Sequence, residues 1–111
     1  MKTVDKETLR DWLGDPDLFL MDVRSVSAWN HSIAKIEHSQ RFEPEKLGQM
    51  ARDIPKNKKL VLYCEDGKTI CPIMAKELEK MGFTKLYLLD GGFEGWQGKE
   101  FPAVPKELAQ R

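Results

Sequence analysis

The chain has 111 residues, 41% of them hydrophobic and 32% charged, which is the size of one domain and the balance of a globular protein. Its 18 basic and 18 acidic side chains cancel, and no Lys/Arg run is long enough for the electrostatic footprint of a nucleic-acid binder. No apolar stretch reaches the length of a membrane span, and Met1–Asp5 lacks the apolar segment of a signal peptide, so the expectation is one cytoplasmic domain over residues 1–111 with neither nucleic acid nor membrane as partner.

Asp5 is a candidate N-cap for a helix carrying Leu9, Trp12 and Leu13 at helical spacing, with Val4 and Leu9 able to form a hydrophobic staple. Gly14-Asp15-Pro16-Asp17 ends that helix. Leu18 to Val23 is a short apolar run, as expected for a strand buried on both faces of a parallel sheet. Residues 25–58 carry the weakest pattern: a short helix around Ala28-Trp29, a strand from Ile33 to Ser39, and a helix from Pro44 to Ala51. Lys59 to Cys64 is an apolar run between loop-like flanks and reads as a strand. Pro72 suits the first turn of the next helix, whose stripe is Met74, Leu78 and Met81 and whose cap is Gly82. Lys85 to Leu89 reads as a strand, Gly91-Gly92 as a turn and Phe93 to Gln97 as a short helix containing Trp96. A polar tail with Pro102 and Pro105 follows, with a last helical turn. Strands alternating with helices point to an α/β fold with a mainly parallel sheet.

Only two cysteines are present, Cys64 and Cys71, too few for the disulfide framework of a small secreted domain, which leaves both free for chemistry. Ligand sites of open α/β sheets lie beyond the carboxyl ends of the strands, and Cys64 sits where the clearest strand stops. Residues 65–71 can curl so that successive backbone N–H groups form an anion-binding nest, aided by the positive end of the following helix. Such surroundings favour the nucleophilic thiolate. The plain alternative is a small buried hydrophobe at a strand end.

Three pieces together resemble the rhodanese family: Asp22-Val23-Arg24, Cys64-Glu65-Asp66-Gly67, and Gly82-Phe83 followed by Leu89-Asp90-Gly91-Gly92-Phe93-Glu94-Gly95-Trp96. The resemblance implies a rhodanese-like α/β fold with a mainly parallel five-stranded sheet and helices on both faces. It also implies a sulfurtransferase in which Cys64 carries sulfane sulfur as a persulfide, from thiosulfate, a polysulfide or a partner protein's persulfide to cyanide or a thiol. The active-site loop would be Glu65, Asp66, Gly67, Lys68, Thr69 and Ile70, its N–H groups holding the anionic sulfur. No metal or organic cofactor is implied, and a monomer or weak dimer is expected.

Several residues depart from the family pattern. Asn30-His31 stands where a Gly-His pair is usual, and Ala28 where a glutamate is common. Thr69 replaces the frequent Arg or Ser five residues after the cysteine. The segment from Cys64 to Gly82 is one residue longer than usual, making a seven-residue loop like that of the phosphatase and arsenate-reductase branch; Ile70, however, occupies the place of the arginine those enzymes need. The spacings C-x6-C and H-x6-H (His31, His38) do not match zinc ligands. Glu65 and Asp66 make the loop net negative, which should raise the Cys64 pKa and repel a dianion such as thiosulfate. Cys71, read as the N-cap of the next helix, is a candidate resolving thiol. Two other readings remain beside the sulfurtransferase: a dithiol oxidoreductase using Cys64 and Cys71, for example a polysulfide or arsenate reductase, and a non-catalytic protein-binding module. Asp22 and Arg24 are expected to pair and fix the strand-end loops.

Overall fold

A computed structural model describes residues 2–106. In chain order the elements are β1 (Lys2–Val4), α1 (Lys6–Trp12), β2 (Leu18–Asp22), α2 (Val26–His31), β3 (Ala34–Ile36), β4 (Gln40–Arg41), a 3-10 turn (Pro44–Lys46), α3 (Leu47–Met50), β5 (Lys59–Tyr63), α4 (Cys71–Lys80), β6 (Leu86–Leu89), a second 3-10 turn (Phe93–Gly95) and β7 (Ala103–Pro105). Five strands form one sheet in the order β1-β6-β5-β2-β4, and each neighbouring pair runs parallel. The expected parallel five-stranded sheet is therefore present.

Local chemistry accounts for the helix ends. The Asp5 carboxylate accepts from Thr8 N–H at 2.8 Å, and Val4 and Leu9 are buried in one cluster, so cap and staple both form. Helix α4 closes with Gly82 N–H on Glu79 O at 3.0 Å and Phe83 N–H on Leu78 O at 3.2 Å, with Gly82 at φ 102°, a paired-bond C-cap that needs glycine's left-handed conformation.

Three readings change. Ile33–Ser39 is not one strand. Ala34–Ile36 pairs antiparallel with β7 in a separate two-stranded sheet; the chain then turns through His38 at φ 71° and re-enters the main sheet as β4. The Pro44–Ala51 helix splits into a 3-10 turn and the single α turn of α3. Strands β1 and β7 arise from segments with little strand pattern, because their partners β6 and β3 supply the ladder. The tail is expected to end in a helical turn; its residues beyond 106 lie outside the described residues.

Period-two alternation along the strands sorts the core into two layers. Leu60, Leu62 and Cys64 point with Met21 and Val23 to the face covered by α3 and α4. Val61 and Tyr63 point with Leu20 to the opposite face, where Leu9, Ile36, Trp96 and Phe101 pack. Cys64 thus emerges on the α4 side of the sheet, and Tyr63 on the other.

Candidate active site

From β2 the chain moves outward to the edge strand β4, then returns to lay β5 and β6 on the other side of β2. The order reverses between β2 and β5, and at such a switch point the loops after the two strands separate and leave a crevice. A cavity of about 320 Å³ lies there, lined by Ser25 from the loop after β2, by Cys64, Glu65, Asp66, Thr69 and Ile70 from the loop after β5, and by Glu94. Cys64 is 2% exposed, so its sulfur is met only through this opening.

The loop curls beneath the sulfur. Helix α4 starts at Cys71 with Ile70 as its N-cap, so the loop from Cys64 to the helix covers residues 64–70, the seven-residue length read from the Cys64–Gly82 spacing. Cys71 is the first helical residue and not the cap. Its thiol donates to the Cys64 sulfur, and the backbone N–H groups of Cys71, Ile70 and Gly67 point at the same atom; together, and against the opposing effect of burial, they bring the Cys64 pKa down to about 6. Cys71 is pushed far up, first by donating to Cys64, then by burial and by repulsion from the Cys64 charge. At neutral pH the pair is a Cys64 thiolate held by a Cys71 thiol.

This overturns the expectation that the acidic loop raises the Cys64 pKa. The Asp66 carboxylate accepts from Lys68 N–H at 2.9 Å, Thr69 N–H at 3.0 Å and the Thr69 hydroxyl at 2.5 Å, which holds it far below the usual carboxylate range. Its charge is spent tightening the curl that aims the other amides inward. A neutral Cys64 thiol reaches Asp66 Oδ1 at 3.5 Å. Of the loop amides expected to hold sulfur, those of Lys68 and Thr69 therefore serve Asp66, while those of Gly67, Ile70 and the adjoining Cys71 serve Cys64. Glu65 turns towards Arg24, 3.9 Å away, and burial raises its pKa.

On the other face, Asp22 and Arg24 pair through Nε at 3.0 Å and Nη2 at 2.8 Å, both side chains fully buried. Tyr63, directly across the ladder from Asp22, donates its hydroxyl to Asp22 Oδ2 at 2.7 Å. The guanidinium lies 4.3 Å from the Phe93 ring centre and 5.2 Å from that of Trp29, a cation–π enclosure. The ion pair expected from Asp22 and Arg24 is present.

Gly92 has a role that the sequence pattern did not reveal. At φ 59°, its missing Cβ would stand 2.6 Å from Cys64 O, Glu65 O and Gly67 N. That close approach lets Phe93 N–H donate to Cys64 O at 2.9 Å and Glu94 N–H to Glu65 O at 3.0 Å, clamping the base of the loop from behind. Ser25 and Glu94 were likewise not assigned to the site from the sequence, although Glu94 lies within the Leu89–Trp96 motif; they join the cavity from distant segments. Neither histidine lines it: His31 Nδ1 lies 2.7 Å from Ser27 O at the exposed end of α2, and His38 sits in the turn before β4. No group of three or more His, Cys, Asp and Glu suited to a metal occurs among the described residues, nor does a helix long and apolar enough to cross a membrane.

A sequence model described as the rhodanese-like domain matches residues 5–99. The chain belongs to the rhodanese family. Among curated relatives, this rhodanese domain is 30% identical over 82 residues to the thiosulfate sulfurtransferase GlpE of Tolumonas auensis, covering 74% of each chain. It is 28% identical to GlpE of Coxiella burnetii, covering 73% of each. Among solved structures, a rhodanese-like domain from Anabaena superposes with a TM-score of 0.80 at 21% identity, over 100% of this chain and 84% of that one. These likenesses place the chain in a sulfurtransferase family and show its rhodanese-like α/β fold.

Proposed function

We propose that the chain is a sulfurtransferase that carries sulfane sulfur on Cys64 as a persulfide. The observation that carries this reading is the convergence of one S–H and three N–H donors on a sulfur that opens onto a cavity. The thiolate attacks the outer sulfur of a donor; with thiosulfate, the Cys64–S bond forms as the sulfur–sulfite bond breaks, and sulfite leaves with its electron pair. The charge now on the terminal sulfur stays within reach of donors already oriented for an anion, so little reorganisation accompanies the step. A thiophilic acceptor then takes that sulfur and restores the thiolate.

Donor choice follows from the lining. Glu65, Asp66 and Glu94 face the cavity, and none of its lining side chains is basic, so a dianion enters against three carboxylates. A hydropolysulfide monoanion, or the persulfide of a partner protein, carries less charge and is the better donor on that ground. Cyanide and small thiols fit the acceptor role, without a metal or organic cofactor.

Intact mass and thiocyanate formation test the reading. Incubation with polysulfide should add one sulfur, roughly 32 Da, to the thiolate form, with less added from thiosulfate and none to Cys64→Ser. A Cys64 that gains no sulfur from either donor, makes no thiocyanate and resists alkylation would sink the proposal in favour of a protein-binding role.

A further inference from the structure

We infer that Cys71 unloads the Cys64 persulfide from inside the protein, expelling the carried sulfur as hydrosulfide and leaving a Cys64–Cys71 disulfide. The inference rests on the sulfurtransferase reading of the site and deepens it, by giving the carried sulfur a second exit besides transfer to an external acceptor.

The geometry sets the direction of attack. Cys64 lines the cavity and Cys71 does not; Cys71 is fully buried in the core cluster beneath the loop, together with Ala75 and Leu78 of its own helix. Cys64 belongs to the same buried cluster, and the two sulfurs interact strongly enough for each to shift the other's pKa. A sulfur added to Cys64 has room only on the cavity side, away from Cys71. Cys71, on the buried side, therefore addresses the inner sulfur, the one that thiol–disulfide exchange must attack to expel the outer sulfur. Attack on the outer sulfur would need Cys71 to reach around Cys64.

The step balances. The Cys71–Cys64 sulfur bond forms as the bond between Cys64 and the terminal sulfur breaks; the leaving sulfur takes that electron pair and the Cys71 proton and departs as HS⁻. The sulfane sulfur is reduced, and the two cysteines are oxidised to the disulfide. An external dithiol reductant returns the disulfide to the starting pair.

Timing is built into the same contact. While Cys64 is a thiolate, its charge keeps Cys71 protonated and inert. Once the persulfide forms, that charge moves one atom outward, and Cys71 is left at the first position of the ten-residue helix α4, where the N-terminal end of the helix dipole favours thiolate. The resolving thiol is thus silent until there is sulfur to release.

Polysulfide-loaded protein, freed of excess donor, is followed by intact mass, sulfide release and tryptic mapping. Cleavage at Lys59, Lys68 and Lys76 puts the cysteines on separate peptides, 60–68 and 69–76. The expected result is loss of the added sulfur, one sulfide per chain, and linkage of the two peptides, while Cys71→Ser holds its persulfide at least about tenfold longer. A persulfide equally long-lived in both proteins, with no linked peptides in the native one, overturns the inference and leaves the sulfurtransferase reading standing. Failure of Cys64 to load at all overturns both. The linked peptides are read in the native protein, so the test does not depend on how well Cys71→Ser folds.

Discussion

The two faces of the sheet at its carboxyl edge handle charge in opposite ways. On the α4 face, backbone N–H groups and one thiol gather around Cys64 and leave its sulfur facing a cavity. On the other face, a buried side-chain ion pair between Asp22 and Arg24, joined by the Tyr63 hydroxyl and tied to the backbone at Ala34 and Ile36, admits no solvent. A charge held by backbone can be moved onto a substrate, because the donors stay in place when it leaves. A charge held by a matched side-chain pair cannot move without breaking the pair. The first face is thus suited to chemistry and the second to fixing where the strands end, although Tyr63 and Cys64 are adjacent residues.

Arg24→Met should expose that contrast most strongly. It removes the main partner of a buried carboxylate, and breaking such a pair costs about 3–5 kcal/mol; Arg41, paired with Asp22 through one nitrogen at 3.5 Å, leaves the Nε and Nη2 bonds of Arg24 unreplaced. Urea unfolding would measure the loss, and a change below about 1 kcal/mol would mean that the second face does not lock the fold.

Gly92→Ala joins the two faces, since the clamp behind the Cys64 loop continues into Phe93, which packs on Arg24. Forcing a side chain into the left-handed conformation against backbone 2.6 Å away should cost about 1–3 kcal/mol. It should also slow Cys64 alkylation at neutral pH, because the amides no longer converge. Equal alkylation rates in the two folded proteins would show that the cradle does not depend on the clamp.

The smallest effect is the most specific. Alkylation of Cys64 should reach half its limiting rate at pH about 6, where an ordinary thiol titrates near 8.5. A thiol pKa lowered by folding stabilises the native state fully above the unfolded value, and that contribution is lost as pH falls through the folded one. In Cys64→Ser the stability between roughly pH 6 and 8.5 should therefore rise less steeply with pH than in the native protein. Parallel stability curves would remove the cradle from the account.

Much of this edge was legible in advance for a physical reason. Apolar runs bounded by Gly and Pro report buried strands, and Asp5, Gly82 and Pro72 act on their own helices, so α1, β2, β5, α4 and β6 could be read from local pattern. Between residues 25 and 58, and at both ends of the described chain, strands of two or three residues form only because a distant strand offers the ladder, and there the pattern misled. Cys64 was marked by its place at a strand end. The direction of its pKa shift was not, because the sign depended on where Asp66 points.

By itself the sequence determined the α/β class, the cysteine at the end of β5, the loop that follows it and the Asp22–Arg24 pair, since each rests on short-range spacing or a strong hydrophobic pattern. Tertiary structure decided that Asp66 accepts from the loop amides, that Gly92 clamps the loop, that Ser25 and Glu94 complete the cavity, and that Cys71 shares the buried cluster with Cys64. Those facts depend on angles and contacts between segments far apart in the chain, to which local spacing is blind.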